Sequence, residues 1–487
     1  MFSNAALKTL GCFGIASLFI TARADVRLPA LFSDGMVLQQ GAKTPVWGWA
    51  NDPEEVQVTF RGKTIKTKSQ DGKWHVELPS FKAGGPDDLV VQGWNRIVIT
   101  NVLVGEVWIC SGQSNMEWPL KSASEGEAAI TASANPKLRL FHVPKVKADE
   151  PLNDVKAKWE DASPSSTPNF SAVAYYFGRD LQKALKVPVG LIETCWGGSP
   201  AEVWTSRRVL ETNPDYKRDI LDSYTQKASA TNGPKPMWKP TELYNGMIAP
   251  LIPYSIKGAI WYQGESNAGR AKQYRGLFAD MIQNWRQDWG EGDFTFLEVQ
   301  LAPWDKNKKR SLEQIAAAPE DSDWAELREA QLLATKKLPN VGMAVITDIG
   351  EKDDIHPRKK EPVGARLALP GQAIAYGQGI EFSGPIYKGM KVRKQTAIIN
   401  FDHARGLEAR DGDLKGFAIC GPDKKFVWAK AEIKGNQVVV SSPSVTQPVA
   451  VRYGWSDYPI VNLWNKAGLP ATPFRTDDFT MITENAK

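Results

Sequence analysis

Ser114 stands in the run Ser111-Gly112-Gln113-Ser114-Asn115-Met116, directly behind an apolar segment, and His356 stands in Asp353-Asp354-Ile355-His356-Pro357 behind another. A hydroxyl, an imidazole to take its proton and an acid to orient that imidazole are the groups that acyl transfer needs. Two further polar runs, Cys195-Trp196-Gly197-Gly198-Ser199 and Gln263-Gly264-Glu265-Ser266-Asn267, also follow apolar segments. Their glycines leave backbone N–H groups accessible and their amide side chains add donors, the components of an oxyanion hole. The Ser114 N–H, at an expected helix start, is one donor; Gly197 or Gly198 offers a second, and the Gln263 or Asn267 side chain a third.

Histidine is scarce: the chain has four. His75 lies on an alternating segment, His142 in Leu140-Phe141-His142-Val143-Pro144, and His403 near the C-terminal end, so His356 alone follows a strand with acids beside it. Pro357 steers His356 away from the helical region. If the extended stretch reached back through Ile355, Asp354 would lie on the ring's side; a turn at Asp353-Asp354 would bring Asp353 beneath Nδ1. The run Gly350-Glu351-Lys352 favours the turn, and with it Asp353. The elbow Gly-x-Ser-x-Gly is absent, its nearest approach being Gly264-Glu265-Ser266-Asn267-Ala268. Scattered His and the lone Cys110, Cys195 and Cys420 make no metal-binding pattern, and no phosphate-binding glycine motif occurs, so no metal or organic cofactor is expected.

These groups need a frame. Segments 107–110, 189–195, 258–262, 294–300 and 342–347 are nearly continuous in apolar residues, as strands buried on both faces are. Helical spacing fills 171–186, 271–289 and 323–337, with Ser322 or Asp323 as the cap of the last. The alternation predicts an α/β domain over 105–370 with a parallel sheet, whose ligands collect beyond the carboxyl ends of the strands. Short alternating segments predict β regions over 25–104 and 371–487, which either stand apart or pack together. Residues 1–24 read as a signal peptide: Lys8, an apolar run over 10–20, then Ala22-Arg23-Ala24, with cleavage after Ala24 and export to the periplasm or medium. No later stretch reaches about 18 uninterrupted apolar residues, so no membrane anchor is expected. The net charge of +5 over 487 residues is too small for a nucleic-acid partner. Eighteen Trp serve either a core or stacking on sugar rings.

Five motifs taken in order carry a family likeness. Trp108 to Glu117, Trp196-Gly197-Gly198-Ser199-Pro200-Ala201-Glu202, Tyr244 to Pro250, Trp261-Tyr262-Gln263-Gly264-Glu265-Ser266 and Asp354-Ile355-His356-Pro357 resemble the sialate O-acetylesterases, within the SGNH hydrolases. The similarity continues through Val451 to Asp457 and Leu469 to Asp477, nearly the whole chain after the leader. The resemblance implies a three-layer α/β/α domain with about five parallel strands, flanked by β-sandwich-like regions. It makes Ser114 the nucleophile and His356 the base, and it puts Gln263 ahead of Asn267 as the side-chain oxyanion donor. The wider superfamily pattern places the orienting acid at Asp353, and closer relatives place it at Asp354. The implied substrate is an acetylated sugar, sialate or a glycan such as acetylxylan. Trp118, Trp196 and Trp204, near these motifs in the sequence, are the candidate substrate contacts, with Glu265, which is also placed to hold the Gln263 loop.

Two rival readings remain at this level. Glu193, Glu265 and Glu298 lie on or after strands, and paired carboxylates such as Glu265 and Glu298 are how glycosidases work. The many Trp and the two β regions also suit a non-catalytic carbohydrate-binding protein.

Overall fold

Strands that are apolar on both faces require a core on each side, and the computed structural model, which describes residues 25–230, 233–307 and 309–487, has that arrangement. The expected leader, 1–24, lies outside the described residues. The central sheet is built from β1 (Arg96–Gly112), β2 (Asn135–His142), β3 (Trp159–Ala162), β4 (Val189–Cys195), β5 (Gly258–Tyr262), β6 (Thr295–Val299) and β7 (Val341–Ala344). Their order across the sheet is β7-β6-β5-β1-β4-β2-β3. All neighbours are parallel except β3, which runs antiparallel to β2.

The five expected parallel strands are present, and β2 is a sixth that the pattern hid. Lys137 and Arg139 interrupt its apolar residues, yet Arg139 is buried, donating to Gly35 O and Asn101 Oδ1 and pairing with Asp161.

Side chains alternate between the two cores. Val107, Ile109, Ala259, Trp261 and Phe296 pack with α3 (Ala271–Trp289) and α4 (Asp323–Lys337). Trp108, Cys110, Ile260, Tyr262 and Leu297 pack on the opposite side with α2 (Ala172–Leu185) and α5 (Glu361–Pro370). Ser322, rather than Asp323, caps α4, accepting the Ala325 N–H at 2.9 Å. Cys110, Cys195 and Cys420 are buried and unbridged.

The chain leaves β1 toward β2 and β4 on one side, then returns to build β5, β6 and β7 on the other. The carboxyl end of β1 is therefore a topological switch point, where connections depart in opposite directions and leave a crevice. β1 is also one continuous strand of 17 residues. Its first half pairs with Gly84–Gln92 and residues 103–105 pair with Val37–Gln39, so the expected boundary at 104/105 falls inside a strand. The N-terminal β region shares its core with one face of the central sheet, through residues such as Val56, Val58 and Trp74. The closing region has its own core, including Ile399, Phe417, Val438 and Phe474. It reaches the central domain where Arg328 of α4 donates to the Ser456 and Asp457 carbonyls. Among the described residues, no helix is long and apolar enough to cross a membrane.

Candidate active site

β1 ends at Gly112 with φ 142°, where a Cβ would lie 2.2 Å from the Tyr262 carbonyl oxygen, so only glycine lets the neighbouring strand ends approach this closely. Gln113 caps the short helix α1 (Ser114–Glu117), and Ser114 is its first residue. The turn aims the hydroxyl across the crevice: Ser114 Oγ is 2.8 Å from His356 Nε2, although 242 positions separate them. Trp118, at the end of α1, stacks on the imidazole with ring centres 5.4 Å apart and planes 19° from parallel. Burial pushes the His356 pKa below the ordinary imidazole value and buried Lys360 pushes it further, while Asp354 acts in the opposite direction.

The histidine loop does turn, one residue earlier than the sequence suggested. The Asp354 N–H donates to Glu351 O at 3.3 Å, which puts Lys352 and Asp353 at the tip. The Asp353 carboxylate is exposed there and pairs with Lys352. Asp354 accepts the His356 N–H at 2.9 Å, and the same oxygen lies 3.6 Å from Nδ1. Of the two candidate acids, the structure brings Asp354 to the edge of the ring and leaves Asp353 at the turn tip, paired with Lys352.

The oxyanion candidates divide in the same way. Gly198 is exposed at φ 75°, and among the described residues no acceptor meets its N–H or that of Ser114. The Gly197 N–H is taken, donating to Glu117 Oε2 at 2.5 Å, while Glu117 also pairs with Lys145. Gln263 is fully buried and its amide hydrogens go to Asn267 Oδ1 at 2.7 Å and Ser199 O at 3.3 Å. Asn267 in turn donates to Glu202 and accepts from the Ala201 N–H. Both amides brace the loops after β4 and β5, so neither expected side chain is free to face the crevice. Gln113, the residue before Ser114, was not among the expected donors. Its Oε1 accepts the N–H groups of Gly264 and Ser266 at 3.4 and 3.3 Å, which fixes the amide, and its Nε2 meets no acceptor among the described residues. The available signal was its place next to Ser114.

Trp204 and three carboxylates named from the sequence, Glu265, Glu298 and Glu193, lie away from the crevice. Trp204 is fully buried, donating to Ser199 Oγ and packing edge-on against Trp261, so it belongs to the core. The Glu265 carboxyl lies behind the site, accepting from Asn115 Nδ2 at 2.6 Å, with Oε2 sealed from solvent. Glu298 is fully buried and both its oxygens lack a partner among the described residues, which removes the Glu265/Glu298 glycosidase pair. Glu193 is equally committed, to the Ser171 N–H and His142. Trp196 remains half-exposed beside Lys145, Lys147 and Trp238. Among the described residues, no group of three or more His, Cys, Asp or Glu is arranged to hold a metal ion.

The family model for carbohydrate esterases described as sialic acid-specific acetylesterases matches residues 104–369, the segment that contains all of this geometry. The chain belongs to that family. Human sialate O-acetylesterase is 30% identical over 505 residues, covering 93% of this chain and 93% of the human protein. The mouse enzyme is 30% identical over 530 residues, covering 95% and 97%. The crystal structure of a carbohydrate acetylesterase from Xanthomonas citri superposes with a TM-score of 0.84 at 41% identity, covering 93% of this chain and all of the other. This protein is an esterase with a mixed α/β fold built on a large central sheet.

Proposed function

We propose that this esterase removes O-acetyl groups from sugars, sialate esters foremost, through Ser114 and His356. The observation that carries the reading is the 2.8 Å Ser114–His356 contact at the switch point of the sheet. Ser114 Oγ attacks the acetyl carbonyl carbon as His356 Nε2 takes the hydroxyl proton. The N–H groups of Ser114 and Gly198 and the Gln113 amide hold the oxyanion, and Gly197 is kept close by Glu117. The intermediate expels the sugar oxygen, which receives the proton from His356. Water then attacks the acetyl-enzyme, passing a proton to His356, and acetate leaves as Ser114 regains its own. Asp354 steadies the imidazolium formed in each half.

Trp118, stacked on His356, and Trp196, half-exposed before Gly197, serve as the apolar walls for the sugar. The SGNH-like three-layer domain over 105–370, with β-sandwich-like flanks at 25–104 and 371–487, belongs to the same reading. So does export after cleavage at Ala24. The relatives named for sialate and for carbohydrate in general support an acetylated sugar, and acetylxylan or another polysaccharide is the second substrate class.

The test has two arms. A methyl fluorophosphonate should leave one adduct, on Ser114, and abolish cleavage of p-nitrophenyl acetate, with the octanoate cleaved poorly by the untreated enzyme. Acetate release from acetylated sialic acids, acetylxylan and acetylated pectin then ranks the substrates. Equal rates on acetate and octanoate, or full activity in Ser114→Ala, would overturn the reading.

A further inference from the structure

Lys360 is fully buried, four residues beyond His356 at the start of α5. A buried ammonium costs several kcal/mol unless it is well paired, and an apolar side chain of similar length would fill the space more cheaply. Its Nζ donates to Asn115 Oδ1 at 2.6 Å and lies 5.7 Å from the centre of the Trp118 ring and 5.4 Å from that of Tyr262. Asn115 spends its own hydrogens on Glu265 Oε1, at 2.6 Å, and on the carbonyl of Ile355, at 3.0 Å. One amide, in the residue after Ser114, therefore grips the residue before His356, and the lysine fixes which way that amide faces.

We propose that Lys360 and Asn115 are positioning residues that lock the histidine loop onto the nucleophile turn and hold His356 Nε2 in line with Ser114 Oγ. The inference rests on Ser114 and His356 acting as nucleophile and base. Without the lock, the loop is held to α1, among the described residues, by the stacking of Trp118 on His356 and by the Ser114–His356 contact, the bond that must break and reform in each turnover. An error of about 1 Å in such a contact lowers the rate by about 100-fold.

The cluster is also charged. Glu265 lies at the far side of Asn115, Glu351 and Asp354 lie on the histidine loop, and His356 lies across Trp118. Burial pushes Lys360 down to about 7, against the pull of these three acids, and pushes Glu265 up. When charged, the lysine opposes a proton on His356 and so favours the neutral base.

Lys360→Met keeps the length and removes donor and charge. In this variant kcat for p-nitrophenyl acetate should fall about 10- to 100-fold with KM nearly unchanged. The acid limb of kcat/KM should also move to higher pH. Asn115→Asp keeps the size but cannot donate to Ile355 O, and it should lose kcat similarly; it decides the matter if the Met variant does not fold. A folded variant, judged by its melting transition, that keeps wild-type kcat and an unmoved acid limb overturns the proposal, because a merely structural lysine would change only the melting. Ser114→Ala, assayed alongside, separates the two levels: activity retained there refutes the reading of the site, and activity lost there with Lys360→Met unaffected refutes the positioning role alone.

Discussion

Replacing Asp354 by Asn isolates the electrostatic share of the acid, because Asn keeps an oxygen that accepts the His356 N–H and so preserves the loop. In a full triad the carboxylate bonds Nδ1 directly and fixes its tautomer, and the same change costs about 10⁴ in kcat. Here the oxygen stands 3.6 Å from Nδ1, and the Asp354 side chain is 53% exposed. A pair this open to water contributes about 1 kcal/mol, and favouring the Nδ1–H tautomer adds a similar amount. The sum is about 1–2 kcal/mol, or roughly 5- to 30-fold in rate. Steady-state kinetics on p-nitrophenyl acetate should therefore show Asp354→Asn lowering kcat by roughly 5- to 30-fold, with KM little changed and the acid limb displaced to lower pH. Asp354→Ala, which also releases the His356 N–H, should be worse. Asp353→Asn, at the exposed turn tip, should stay within about twofold of wild type, since surface changes away from such contacts shift little. A loss near 10⁴ in Asp354→Asn would mean that a direct carboxylate–imidazole bond forms in the working enzyme. Wild-type rates in both Asn variants would leave a dyad, and a larger loss at Asp353 would refute the assignment outright.

The pH dependence follows from the sign of the His356 shift: the base must be neutral and its pKa is lowered, so kcat/KM should persist below the free imidazole value of about 6.5. An acid limb above that value would contradict it. Burial raises the Glu298 pKa well above the carboxylate range, so the folded state keeps a proton that the unfolded chain releases above about 4.3, and stability falls as pH rises from there toward the raised folded value. Glu298→Gln removes this slope; its Tm advantage over wild type should widen from pH 5 to pH 9, and a constant gap would be the contrary result. Trp204→Ala should cost about 3–5 kcal/mol of stability as a core truncation, seen as a lower Tm. Trp118→Ala should instead lower kcat/KM with a much smaller change in melting, and the reverse pattern would exchange their roles.

The proposed acyl-transfer chemistry is legible in residue types and short spacings: a serine on a tight turn after one apolar strand, and the single histidine placed after another. So are the central strands and the three long helices, because a strand buried on both faces and an amphipathic helix each write their period into the chain locally. β2 escaped because a buried arginine reads as polar until Gly35, Asn101 and Asp161 are folded around it.

Tertiary structure alone decided which groups meet at the proposed site. Asp353 and Asp354 differ by one position in a turn whose register the Glu351 carbonyl sets. Gln113, Gln263 and Asn267 have the same donor chemistry, and only their partners assign Gln263 and Asn267 to bracing and leave the Gln113 amide free. Trp118 and Trp204 look alike in sequence, yet one stacks on His356 and the other is core. The Lys360–Asn115 bond spans 245 positions. Local pattern sets where the backbone turns and which face is apolar, whereas the partner of a polar side chain is chosen by segments distant in the chain, brought together by burial of the two cores.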